Sequence, residues 1–201
     1  MVVPVEQIEG VRAAHARLHG TLAGLDDAIA RRPSRLPSWT IGHVLTHLAR
    51  NADSVVHRLA AAAEDRLVEQ YDGGAAGRAA AIEAGAGRPA AALVADLTNA
   101  DAAVDQLFAA LPPAAWERPV LRSGPAGGTV PAARLAYSRW REVEVHHVDL
   151  GLGYEPARWP DRLVELMLPD LLAGLPERAG RTALAAWALD RGPAPRLTPW
   201  D

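Results

Sequence analysis

Apolar residues recur along the first part of the chain at helical spacing. Ile8, Val11, Leu18, Leu22, Leu25 and Ile29 lie three, four or seven residues apart, which predicts one helix from about Val5 to Ala30 with a single buried stripe. Arg32-Pro33-Ser34 ends it, since proline cannot continue a helix. A second stripe, Val44, Leu48, Val55 and Leu59, begins after Pro37 with Ser38 or Thr40 as N-cap and runs to about Leu67. A third helix is predicted from Ala90 to Leu111, stopped by Pro112-Pro113, and a fourth from Ala132 to Leu150, ended by Gly151-Leu152-Gly153.

The segment from Tyr71-Asp72-Gly73-Gly74 to Gly87 reads as a long loop between the second and third helices. Leu121 to Val130 reads as a turn-rich connection with a short hairpin. After Trp159-Pro160 come two further helical patterns, Arg162–Leu175 and Arg178–Asp190, and then a proline-rich stretch closing at Trp200-Asp201. Four long helices without heptads or repeats predict an all-α four-helix bundle over residues 1–155. A small helical appendage over 156–201 follows it.

Composition narrows the function. A length of 201 residues suits one cored domain with an appendage, and a net charge of −3 gives no footing for nucleic acid. No apolar run approaches the ~18 residues of a membrane span. Met1-Val2-Val3-Pro4-Val5-Glu6 lacks a basic segment followed by an apolar one, so a cytoplasmic protein is expected. Every one of the 21 basic residues is Arg. The chain has no Cys, which excludes disulfides, thiolate–metal ligation and a cysteine nucleophile. Any sulfur chemistry must use a thiol supplied from outside.

The candidate chemistry lies on the second and fourth helices. Glu142 and His146 are one turn apart, and at ~100° per residue they share a face with Leu135, Ser138, Arg139, Val145 and Asp149. Glu144 and His147 point elsewhere and read as surface or supporting residues. On the second helix His47 and Asn51 border the apolar stripe, with His43 a little further round. One of those histidines with Glu142 and His146 makes a two-His, one-carboxylate set that leaves a coordination position open. The same set also suits ferrous iron. Asp149, three residues after His146, is placed to accept from the second nitrogen of that imidazole. His15, His19 and His57 read as ordinary helix-face histidines. Spacing alone does not choose between His43 and His47.

Leu36-Pro37-Ser38-Trp39-Thr40-Ile41-Gly42-His43-Val44-Leu45-Thr46-His47-Leu48-Ala49 resembles the P-x-W-T-x-x-H-x-L-x-H-L-A signature of mycothiol-dependent maleylpyruvate isomerases, members of the DinB-like four-helix bundle superfamily. Arg139 to Asp149 resembles the second signature of that family, R-x-R-E-V-x-V-H-x-V-D-L. The connecting Tyr71 to Arg78 and Ile82-Glu83-Ala84-Gly85 are also similar, so the resemblance spans roughly residues 5–160. It implies a divalent ion, typically zinc, held by His47, Glu142 and His146. It also implies a C-terminal domain that closes the active site and supplies an Arg. Here about 40 residues follow Pro160, and none of Arg162, Arg178, Arg181, Arg191 or Arg196 can be matched to that residue.

The resemblance further implies mycothiol as cofactor and cis–trans isomerisation of a small unsaturated dicarboxylate by thiolate addition and loss. Substrate carboxylates call for guanidinium forks, for which Arg78 in the connecting segment and Arg139 on the fourth helix are the candidates. Two alternatives use the same bundle. One is a mycothiol S-transferase conjugating electrophiles. The other is a non-catalytic bundle with its metal structural or absent, which a site closed by His43 as a fourth ligand would favour.

Overall fold

The first stretch of the chain carries two helices, because Gly24 adopts φ +84° and Asp26 starts a new cap. In the computed structural model, which describes residues 3–122 and 127–198, α1 spans Val5–Leu22 and a short α2 spans Asp27–Ala30. The Asp26 carboxylate accepts the Ile29 amide at 2.7 Å. The expected single helix to Ala30 is therefore corrected: a left-handed glycine followed by Asp-Asp is a stop and a restart.

α3 spans Ile41–Ala63. Thr40 is its N-cap, accepting from the His43 amide while its own amide donates to His43 Nδ1 at 3.2 Å. The expected loop at 71–87 is also corrected. It contains α4, Gly74–Ala86, a helix of alanines and glycines whose weak apolar contrast hides its period. Glycines on both helices allow a close approach of α3 and α4. A Cβ on Gly42 of α3 would sit 2.2 Å from the Ala86 carbonyl oxygen, and one on Gly85 would meet Thr46 at 2.5 Å. The two helices thus approach backbone to backbone.

α5 spans Ala90–Ala110. Two short strands, β1 (Pro119–Leu121) and β2 (Thr129–Pro131), pair antiparallel as the expected hairpin. Residues 123–126, part of the expected turn-rich connection, lie outside the described residues, as do Trp200 and Asp201. α6 spans Arg134–Asp149 and stops before Gly151 at φ +67°.

α3 packs against α5, α4 and α6, and α1 against α6 and α5. The result is an all-α four-helix bundle of α1, α3, α5 and α6, with α4 laid along α3. Val11, Leu18, Leu48, Leu59, Leu97, Val104 and Val143 are fully enclosed in its core. The chain divides into two compact units, Met1–Arg158 and Trp159–Asp201. The second holds α7 (Asp161–Ala179) and α8 (Arg181–Ala188), which pack on each other across Gly180.

Candidate metal centre

The packing of α3 on α6 brings His47, Glu142 and His146 together. One ligand atom from each lies within 4.8 Å of the others. His47 Nε2 is 3.2 Å and His146 Nε2 3.6 Å from Glu142 Oε2. The two imidazoles meet edge to face with centroids 4.6 Å apart. Ligand bonds of ~2.0–2.1 Å at tetrahedral angles put donor atoms roughly 3.3 Å apart. The separations to Glu142 straddle that value, so the residues fit a tetrahedral divalent ion with one position left open. Two neutral imidazoles and a carboxylate suit zinc, and equally ferrous iron.

Each of the three side chains has a further neighbour. Asp149 lies 2.8 Å from His146 Nδ1, as the sequence spacing anticipated, and turns Nε2 toward Glu142. Arg78 reaches from α4 to His47 Nδ1 at 3.1 Å. A guanidinium can only donate, so Nδ1 is bare and the His47 ring proton sits on Nε2, facing Glu142. The Asn51 amide lies 3.4 Å from Glu142 Oε2. The Trp39 ring stands 5.7 Å from that of His47.

Electrostatics follows the burial. Burial pushes His47 down to about 4, against its hydrogen bond to Glu142. Burial acts on His146 in the same direction, but hydrogen bonds to Asp149 and Glu142 outweigh it and carry the group up to about 9. Burial would raise Glu142, yet its two histidine partners hold it well below the ordinary carboxylate range. Without an ion the cluster is a neutral His47 beside a Glu142⁻/His146⁺ pair.

The other candidates fall elsewhere. His43 is occupied by the α3 cap through Nδ1, and its Nε2 faces Glu83 at 3.3 Å, so it is not among the grouped donors. Arg78 does reach the cluster. Arg139 does not: it is 0% exposed, with donors on the Leu48 carbonyl, Asn51, His15 and Asp101. An Arg enclosed in this way offers nothing to a substrate, and the expectation for it is corrected. Its position within 60° of Glu142 pointed into the bundle, but deeper than the site.

His15 and His19 are likewise not plain surface histidines. Both pair with the buried Asp101, at 3.1 and 2.8 Å. Glu144 and His147 are buried rather than exposed. Glu144 bonds Arg17 and the Tyr154 hydroxyl. His147 bonds Thr21 at 2.7 Å and stacks flat on Tyr154. Sequence reasoning gave no role to Arg58, one helical face further along α3 from His47 and Asn51. It is buried, and its guanidinium is pushed down by burial against the opposing charges of Tyr71 and Glu142. The i, i+4, i+11 spacing from His47 is the signal that could have found it.

Residues 11–151 match the family of the mycothiol maleylpyruvate isomerase N-terminal domain. The chain belongs to this family. The crystal structure of a mycothiol-dependent maleylpyruvate isomerase superposes with a TM-score of 0.76 at 26% identity, covering 82% of this chain and 67% of that one. A histidine-to-alanine mutant of a mycothiol-dependent maleylpyruvate isomerase superposes equally well, at 25% identity. The bundle is thus of the DinB-like kind. No curated protein matches significantly.

Proposed function

We propose that this protein is a zinc- and mycothiol-dependent isomerase acting on a small unsaturated dicarboxylate of the maleylpyruvate kind. The observation that carries the reading is the three-donor cluster His47–Glu142–His146, which matches tetrahedral spacing and leaves a position open. Family membership and the likeness to mycothiol-dependent maleylpyruvate isomerases support the same reading.

His47, Glu142 and His146 would hold the ion, with Asp149 orienting His146. Together the ion and the thiol supply a thiolate at neutral pH, a nucleophile that adds to a conjugated double bond and leaves again. The protein has no cysteine of its own to do this. Arg78 presents its guanidinium at the rim of the site, where a substrate carboxylate can engage it more favourably than a neutral imidazole does.

The test is product analysis with zinc-loaded protein, maleylpyruvate and mycothiol. The expected result is the trans isomer with the thiol recovered in full. A stable thiol conjugate, or isomerisation that proceeds equally without mycothiol, would overturn the proposal.

A further inference from the structure

The cluster of three donors is joined to the centre of the bundle through one amide. Arg139 of α6 donates from Nη1 to the Leu48 carbonyl and to Asn51 Oδ1 of α3, each at 2.9 Å. Its Nη2 meets Asp101 of α5, and its Nε lies 3.3 Å from His15 Nε2 of α1. One guanidinium on α6 therefore contacts the other three helices of the bundle. Asn51 is 6% exposed and sits between this tie and the site.

Both ends select the same orientation of the Asn51 amide. Arginine has no acceptor, so the amide oxygen must face it. The opposite face then presents Nδ2 to Glu142 Oε2 at 3.4 Å, where an ionised carboxylate can only accept. The amide cannot flip without losing both bonds.

We propose that Asn51 is a positioning residue for the metal-ligating carboxylate: held by Arg139, it fixes Glu142 from the α3 side. This rests on the metal reading of the cluster. Glu142 projects from α6 with one oxygen between His47 and His146, and a carboxylate has a broad terminal torsion. A fixed donor from the facing helix narrows it before an ion arrives, which raises affinity by pre-ordering the site. Arg139 then acts on the site through Asn51 without touching it.

The experiment measures zinc affinity by competition with a chromophoric chelator, in wild-type protein, Asn51→Leu, Glu142→Ala and the double variant, with Co²⁺ absorption as a second readout. Asn51→Leu should weaken zinc by about 10–100-fold, as loss of a ligand's supporting partner does. It should also alter the Co²⁺ bands. In the Glu142→Ala background, Asn51→Leu should change affinity by less than about two-fold, because the group it positions is gone. Thermal melts of the metal-free proteins report folding, and Asn51→Ala, which leaves room for water beside Arg139, replaces a Leu variant that does not fold.

Wild-type protein that binds no zinc would overturn the metal reading and this proposal together. Wild-type protein that binds zinc while Asn51→Leu or Asn51→Ala binds it equally, with unchanged Co²⁺ bands, would overturn this proposal alone. An equal loss in both backgrounds would overturn the route through Glu142.

Discussion

His47 Nε2 and His146 Nε2 lie 3.2 and 3.6 Å from a common carboxylate oxygen, yet burial and partners drive the two groups in opposite directions, to about 4 and about 9. The neutral histidine needs only to shift its ring proton from Nε2 to Nδ1, giving up the Arg78 bond, to bind an ion; the charged one must lose a proton. Zinc binding at pH 7 should therefore release about one proton per ion, from His146. That release should fall away as the pH rises past about 9. Calorimetry in buffers of differing ionisation enthalpy reads it directly. Release of two protons, or none, would contradict this assignment.

The same raised group affects stability in metal-free protein. A histidine raised from 6.5 to about 9 stabilises the fold fully below pH 6.5, and that contribution is lost as pH climbs through 9. Thermal melts of the metal-free protein should decline over this window, and His146→Gln should flatten the decline. At Arg139 the effect is on the fold. Removing it takes the permanent cation from buried Asp101 and leaves only His15 and His19 beside it, so Arg139→Met should destabilise by about 3–5 kcal/mol in chemical denaturation. Arg78→Ala should leave stability and metal content unchanged while raising KM for a carboxylate substrate. If the two variants swap behaviour, the roles assigned to them are wrong.

At the scale of elements, the long helices were legible and the short-range breaks were not. The stripes on α3, α5 and α6 are regular, and prolines and paired glycines bound them, so their ends fell close to where the sequence places them. Helix α1 was overextended because Leu25 and Ile29 keep the period across Gly24. The α4 segment reads as a loop because alanine and glycine give little contrast between faces. Gly85 is small because Thr46 of α3 lies against it. Gly42→Ala would place a methyl group 2.2 Å from a backbone oxygen, which no rotamer can relieve. It should destabilise by about 1–3 kcal/mol. It should also displace Arg78, raising KM for a carboxylate substrate. A fully stable Gly42→Ala protein with unchanged KM would contradict the close α3–α4 contact.

For the whole molecule, the Glu142–His146 pair of the donor cluster is legible from spacing on α6, while the choice of His47 over His43 comes only with the resemblance. The structure supplies a physical reason for that choice: the α3 cap occupies His43. Arg139 was misplaced because a helical wheel gives direction but not depth. Its guanidinium lies where all four helices converge, one amide away from the ligands. The bundle thus holds a buried ionic centre and a partly open donor cluster side by side. The central claim is that this cluster is where a divalent ion presents an outside thiol. The most direct test is titration of mycothiol into zinc-loaded protein, compared with metal-stripped protein and with zinc-treated His47→Ala. The prediction is saturable binding with release of about one thiol proton in the loaded protein only, since metal-bound thiols lose their proton. Equal binding by the stripped protein, or no binding by the loaded one, would contradict it.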